Sequence, residues 1–200
     1  MIKFFFLTLI FFSSTTFAND RLKGYQALEK KDYKKALYYL SYDANLGDDK
    51  AQYNLGIMYK KGLGVPVNNN EAFSWFFLSA NQGNILANYA LGHAYLKGSG
   101  IKKNYKSALK AFKYAALREH PSSRLIIGNM YYQGQGVIVS YPRAFLWWSL
   151  AQDLNIGGAS QNIDMIKKKM SKDQYSKAKQ MYLMCMQNTL YNCTKKLDLF

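Results

Sequence analysis

The sequence predicts an all-α fold, a right-handed α-solenoid of helix-turn-helix units that is closed by C-terminal capping helices. Three observations predict it: a 36-residue internal repeat, helical spacing of apolar residues within the repeat, and helix-capping residues that recur at one phase. A single unit leaves one apolar face uncovered, and stacking on neighbouring units buries that face.

The internal repeat is clearest in the segment that begins at Ala51. Its Leu-Gly, Tyr and Gly-x-Gly-Val positions recur 36 residues later from Ala87, with Ile for Val, and again from Ser123, with Ile-Gly for Leu-Gly. We therefore expect one repeat domain at 19–200, made of a half repeat at 21–48, full repeats at 51–86, 87–122 and 123–158, and capping helices at 159–200.

Helix B forms the second half of each predicted repeat. Its apolar and small residues follow the spacing of one helical face, at Ala72, Trp75, Phe76, Ser79 and Ala80. Residue types that cap helix N-termini precede the four B helices at intervals of 36: Asp32, Asn68, Asn104 and Ser140.

Helix A forms the first half and runs from about Ala51 to Lys61 in the first full repeat. We expect it to end at Gly62 and Gly64, because glycine adopts the positive φ that ends a helix. Glycine also recurs inside helix A, where it costs about 1 kcal/mol, and a close approach between helices would explain its presence. These internal glycines are Gly56, Gly92 and Gly128.

Two further helices are predicted after the last repeat. One continues through Ile163, Ile166 and Met170, and a capping box from Ser171 to Gln174 opens the other. An apolar seam along this terminal helix would cover the end of the stack, and it consists of Tyr175, Ala178, Tyr182, Cys185 and Thr189.

Cys185 and Cys193 are the only cysteines of the chain. On one straight helix their Cα atoms would lie about 12 Å apart, beyond the roughly 7 Å that a disulfide spans. A disulfide, which is expected in an oxidising compartment, therefore requires the helix to end between residues 188 and 192. The alternative is a straight helix with two free thiols.

Residues 1–18 have the pattern of a secretory signal peptide. Lys3 precedes an apolar run at residues 4–12, and small residues lead to an expected cleavage between Ala18 and Asn19. An uncleaved membrane anchor is the alternative, although nine apolar residues cover only about half a bilayer as a helix. The mature protein is therefore expected to be periplasmic or secreted.

The composition excludes a disordered chain, since 49% of the residues are apolar and 16% are aromatic. The net charge is +15, and residues 101–200 carry 16 basic and 5 acidic side chains. Two lysine groups stand out, a ridge expected along one B helix (Lys103, Lys106, Lys110 and Lys113) and a second group after the repeats (Lys167, Lys168, Lys169 and Lys172). They are either a solvated face or a basic patch for an anionic envelope surface or an acidic protein. Export and the lack of a recognition motif argue against nucleic acid.

The small residue, Leu-Gly, Tyr, Gly-x-Gly-Val and Ala-x-x-Trp positions resemble the Sel-1-like repeat, a relative of the tetratricopeptide repeat. The resemblance covers about residues 20–170. It implies a non-enzymatic adaptor that binds a protein or peptide, and exported bacterial members are associated with envelope assembly or host contact. No cofactor is implied. No metal site is expected either, because the two histidines lie 27 residues apart without a ligand motif.

The alternative function is a cell-wall or β-lactam-binding enzyme, since some cysteine-rich members of the family are described as penicillin-binding or weakly β-lactamase-like. Ser107 with Lys110 and Ser176 with Lys179 match the Ser-x-x-Lys motif of such enzymes. Their two other motifs, Ser-Asp-Asn and Lys-Thr-Gly, are absent from the sequence. We therefore predict no catalytic residue.

A partner-binding stripe is expected on the A helices, because solenoids of helix pairs usually line their concave side with them. The stripe consists of the helix A positions that are left when the repeated core residues are set aside. The residue types at these positions differ from repeat to repeat, as expected for a surface that recognises a partner. A merely solvated stripe is the alternative. The nine residues are Asn54, Ile57, Lys61, Ala90, His93, Lys97, Ile126, Asn129 and Gln133.

Overall fold

A computed structural model describes residues 22–197, and every regular element in this part of the chain is an α-helix. Helix α1 covers residues 22–29. The other helices are α2 (Tyr33–Asn45), α3 (Asp49–Lys61), α4 (Asn69–Asn81), α5 (Ile85–Lys97), α6 (Tyr105–Leu117), α7 (Pro121–Gln133), α8 (Tyr141–Gln152), α9 (Ala159–Lys167), α10 (Lys172–Met186) and α11 (Leu190–Lys196).

Two compact units divide between Asn84 and Ile85. None of the helices among residues 22–197 combines the length and the apolar character that crossing a membrane requires. The predicted signal peptide and its cleavage site at Ala18 and Asn19 lie outside the described residues.

The predicted caps of the B helices are confirmed. Asp32 Oδ1 accepts a hydrogen bond from the backbone N–H of Lys35 at 3.2 Å, which satisfies an unpaired donor in the first turn of α2. Equivalent bonds form at the starts of α4, α6 and α8, where the caps are Asn68, Asn104 and Ser140.

Close helix contact explains the glycines inside the A helices. A Cβ atom built on Gly92 of α5 would lie 2.6 Å from the Phe112 ring of α6, far inside van der Waals contact. The same relation joins α3 to α4 and α7 to α8, through the pairs Gly56 with Phe76 and Gly128 with Trp148. Each A helix therefore packs against its B helix at a distance that only glycine permits.

The Gly-x-Gly turn connects one repeat to the preceding one. Gly62 ends α3 with a φ of 71°, and Gly64 follows with a φ of 72°, as the sequence predicts. A Cβ on Gly64 would lie 2.8 Å from the carbonyl oxygen of Tyr33, the first residue of α2. Gly136 approaches the carbonyl of Tyr105 in the same way at the start of α6.

The first unit has its core between α1, α2 and α3. The segment predicted as a half repeat contains two helices, and Gly24 of α1 packs against Leu40 of α2. This pair is 16 residues apart, whereas Gly56 and Phe76 are 20 apart, because the connection from α1 to α2 is short and lacks the Gly-x-Gly turn. The buried apolar residues are Ala27, Ala36, Leu40, Ala44, Ala51, Leu55 and Met58.

The second unit has a larger core centred on α8. Trp147 and Trp148 are fully buried there, and α7, α9 and α10 all pack against α8. Its most deeply buried large residues also include Phe112, Ile127, Met130, Tyr131, Leu146 and Ile166.

The capping helices differ from the prediction at two residues. Helix α9 ends at Lys167, so Met170 lies beyond it in the turn that leads to α10. Helix α10 ends at Met186, so Thr189 is not part of its seam and instead caps α11, accepting a hydrogen bond from the Asn192 N–H. The predicted capping box between Ser171 and Gln174 is confirmed.

Cys185 and Cys193 form a disulfide, with their Cα atoms 4.9 Å apart. The helix break after Met186 allows this pairing, because the chain folds back into α11 and brings the second cysteine beside the first. Both cysteines are buried in the core of the second unit. The disulfide therefore holds α11 against α10.

We predict that Gly92→Ala destabilises the protein by about 1–3 kcal/mol, because the added methyl group overpacks the Phe112 ring by more than the helix propensity of alanine recovers. Urea unfolding measures the change. Gly157→Ala is the matched control, since no atom lies within 4 Å of a Cβ built there. Equal stability of the two variants would contradict the close-contact explanation.

We predict that the double substitution of Cys185 and Cys193 by Ala lowers the free energy of unfolding by about 2–3 kcal/mol, the amount expected for a short closed loop. Thermal unfolding of the oxidised wild type and the variant measures it. Mass spectrometry without reductant should find the wild type lighter than its reduced form by two hydrogens. A wild type that carries two free thiols would sink this prediction.

Candidate functional site

A groove of about 490 Å³ lies beside α5 and α7, two successive A helices of the second unit. Its apolar part consists of Leu96, Ile126 and Met130. Polar side chains and the Tyr105 ring complete the lining, at Lys97, Lys103, Asn129, Gln133 and Gln135.

The ends of the two A helices position these polar groups. Lys97 is the last residue of α5, and Gln133 is the last residue of α7, one 36-residue repeat later in the chain. Glycines at positive φ follow both helices and reverse the chain, so that Lys103 and Gln135 of the loops return to the groove. The groove therefore lies on rigid helix ends and the tight turns that follow them.

The polar groups of the groove are rich in hydrogen-bond donors. Asn129 Oδ1 accepts hydrogen bonds from Trp148 Nε1 at 2.9 Å and from Asn162 Nδ2 at 3.4 Å. Its oxygen is thus engaged by the fold, and the amide nitrogen is the end that has hydrogens to donate to a ligand. Lys103 lies over the Tyr105 ring, with its Nζ atom 5.9 Å from the ring centre.

Four residues of the predicted stripe line this groove: Lys97, Ile126, Asn129 and Gln133. Two others in the second unit do not, since Ala90 is buried and His93 packs edge-on against the rings of Tyr89 and Phe112. In the first unit the stripe residues lie on α3, where Asn54 donates to the carbonyl of Lys50 while Ile57 is half-buried and Lys61 is exposed.

His93 and Asn129 occupy the same position in successive repeats and contact the B helix of their own repeat. His93 faces Phe112, with ring centres 5.2 Å apart, whereas Asn129 Oδ1 accepts a hydrogen bond from Trp148 Nε1, which also donates to the Leu125 carbonyl at 3.2 Å. In these two repeats the residue after the internal glycine therefore contacts the B-helix ring, as His93 against Phe112 and as Asn129 with Trp148.

Lys103 and Gln135 form the loop side of the groove. The sequence predicts Lys103 only as a member of the lysine ridge, and it does not predict Gln135 as a site residue. Gln135 is the middle residue of its Gly-x-Gly turn, where the other two full repeats have Leu63 and Ser99. That difference is a signal that the turn carries variable side chains. The prediction considered only helix positions and therefore overlooked it.

The first lysine of the predicted ridge, Lys103, does not lie on α6. Lys103 precedes the cap Asn104 and lies in the loop, so it faces the groove. The other three lysines flank a separate cleft of about 440 Å³ along α6, whose lining consists of Lys106, Leu109, Lys110, Lys113, Tyr114 and Leu117.

The second lysine group spans the junction of α9 and α10. Lys167 pairs with Asp164 at 3.6 Å, and Lys169 Nζ donates to the Tyr132 hydroxyl at 2.6 Å, a bond that raises the pKa of Lys169. Lys168 is exposed, and Lys172 lies with Lys167 in a cavity of about 330 Å³. Because the helix breaks at this junction, the four lysine side chains have different surroundings and do not form one continuous patch.

His120 and Ser123 form the histidine–serine contact of the second unit, with 3.0 Å between His120 Nδ1 and Ser123 Oγ. Ser123 is fully buried, so a substrate has no access to its hydroxyl. Burial also lowers the pKa of His120. Ser107 and Ser176, the serines of the Ser-x-x-Lys matches, lie on α6 and α10 and line none of the three cavities described above.

Among residues 22–197, no three His, Cys, Asp or Glu side chains come close enough together to hold a metal ion.

Four copies of one repeat account for the helix pairs. The family model of the Sel1 repeat matches residues 22–48, 49–84, 85–120 and 121–155. The chain belongs to the Sel1 repeat family. This confirms the resemblance and the α-solenoid fold predicted from the sequence, and Sel1 repeats generally mediate protein–protein interactions.

Solved structures agree with this assignment. A Sel1 repeat protein from Oxalobacter formigenes is 31% identical over 72% of this chain and 59% of its own, with a TM-score of 0.67. The protective antigen c5321 of uropathogenic Escherichia coli, which has an SLR fold, is 24% identical over 83% of this chain and 44% of its own, with a TM-score of 0.50. The chain thus spans less than two thirds of either protein. No curated protein matches it.

We predict that stability falls as the pH drops from 7.5 to 5, with His120 contributing to the loss. Burial lowers the pKa of His120 in the folded protein, so its contribution is complete above the unfolded pKa of about 6.5 and is lost as the pH falls through the lowered folded value. His120→Gln should flatten the dependence of Tm on pH. An unchanged slope in this variant would exclude His120 as the cause.

Proposed function

We propose that this Sel1 repeat protein is an exported, non-enzymatic scaffold that binds a protein or peptide partner in the groove beside α5 and α7. The observation that carries the proposal is the groove itself, in which an apolar floor is bordered by polar side chains from two A helices and two turns. Apolar contact with a few well-placed polar groups is the usual composition of a binding site.

The exposed side chains of the groove support a binding role, because their polar ends are accessible to a partner. Lys97, Lys103 and Gln133 are exposed at the helix ends and in the loop. Asn129 differs, since its side chain accepts a hydrogen bond from the buried Trp148 and so connects the groove to the core. A partner segment would therefore meet exposed polar and charged side chains beside the packed core.

The cysteine pair supports export. Disulfides persist in oxidising compartments such as the periplasm and the extracellular space, and they are rare in the cytosol. The pair of Cys185 and Cys193 agrees in this respect with the signal peptide expected at residues 1–18. The proposed location is the periplasm or the exterior of the cell.

Site-specific photocrosslinking in the native host tests the proposed site. A photoreactive amino acid at Gln133, at the exposed end of α7, should crosslink to a defined partner that mass spectrometry identifies. The matched control is Gln180, an exposed glutamine on α10 that lies outside the groove. Ile126→Glu should then abolish the product at Gln133. Crosslinks of equal yield from both positions would contradict the proposed site.

A further inference from the structure

We infer that the groove selects an acidic peptide segment, whose Asp or Glu carboxylates pair with Lys97 and Lys103. The inference rests on the proposed function and specifies the chemistry of its partner. The nine residues that line the groove include two lysines, three carboxamides and one tyrosine hydroxyl, but no carboxylate. A ligand rich in hydrogen-bond acceptors complements such a lining.

Carboxylates are scarce along the helices that form the groove. From Ile85 to Gln152, the sequence contains nine lysines and arginines and a single acid, Glu119. Glu119 precedes α7 and is not among the residues that line the groove. The helices and turns that form the groove thus carry an excess of positive charge, which an anionic ligand would balance.

The helix dipoles act in the opposite sense but are weaker. The groove lies at the C-terminal ends of α5 and α7, and each end contributes about half a negative charge. Together they offset about one of the two lysine charges. The remaining positive charge, added to the donors of Asn129, Gln133 and Gln135, still favours an anionic partner.

The carboxamides extend the recognition to the peptide backbone. Gln133 and Gln135 each offer both a donor and an acceptor, which match the C=O and N–H groups of a bound segment. Ile126 and Leu96 supply apolar contact between the charged positions. An acidic segment with apolar residues between its carboxylates fits this lining better than a uniformly charged polymer.

Selection from a random dodecapeptide library displayed on phage, with the disulfide-bonded chain as bait, tests the inference. The selected peptides should be enriched in Asp and Glu. A synthetic, C-terminally amidated copy of the most enriched peptide is then titrated by fluorescence anisotropy. Lys97→Gln with Lys103→Gln should weaken its binding about tenfold, and replacing its acids by the corresponding amides should have a similar effect.

The matched control is Lys106→Gln with Lys110→Gln, which removes the same charge from the α6 cleft outside the groove. This variant should bind within about twofold of the wild type. An equal loss in both double variants would show that general basicity holds the peptide and would overturn the inference. Binding by the amide peptide at full strength would also overturn it. The selected peptides could instead lack acids and still block the crosslink between Gln133 and the partner. That result would overturn the acidic specificity, and the proposed function would still hold.

Discussion

The contact between a glycine of helix A and a ring of helix B determines how each full repeat packs. Glycine in a helix costs about 1 kcal/mol, whereas burying an aromatic side chain gains several kcal/mol, so the exchange favours folding. Phe112 and Trp148 occupy the space that a Cβ on Gly92 or Gly128 would need. The two helices of a repeat consequently lie at one fixed, close distance.

This contact also decides which positions of helix A remain for binding. In the second unit the residue one position after the internal glycine lies beside the B-helix ring, where His93 contacts Phe112 and Asn129 contacts Trp148. Positions at the helix end and in the turn are free of that requirement. The candidate site is therefore displaced from the middle of helix A toward Lys97 and Gln133.

The sequence predicted most of the fold because three repeats have the same length. Fixed spacing located the B-helix caps, the turn glycines and the internal glycines, all of which the structure confirms. The fixed spacing did not reveal helix α1. Its connection to α2 is shorter, so Gly24 lies four residues away from the position that the 36-residue spacing predicts. Geometry also predicted that a disulfide between Cys185 and Cys193 needs a break in the terminal helix, and the structure contains both the break and the disulfide rather than the alternative straight helix.

The candidate site was less predictable from sequence. Variation between repeats identified Lys97, Ile126 and Gln133, but it also selected His93, whose ring packs against Phe112 in the core. Lys103 and Gln135 reach the groove only through the reversal of the chain at the turn glycines. The spacing of residues along a helix does not show that a loop after the helix folds back against it.

Binding of an acidic partner at the helix ends beside α5 and α7 can be observed by two-dimensional ¹⁵N NMR with an acidic peptide. Asn129, Gln133 and Gln135 carry side-chain amide groups that report on contact. We expect the largest shifts at these three side chains and at the backbone amides of the adjoining turns. Shifts centred on the α6 cleft, with the three groove amides unchanged, would contradict binding at these helix ends.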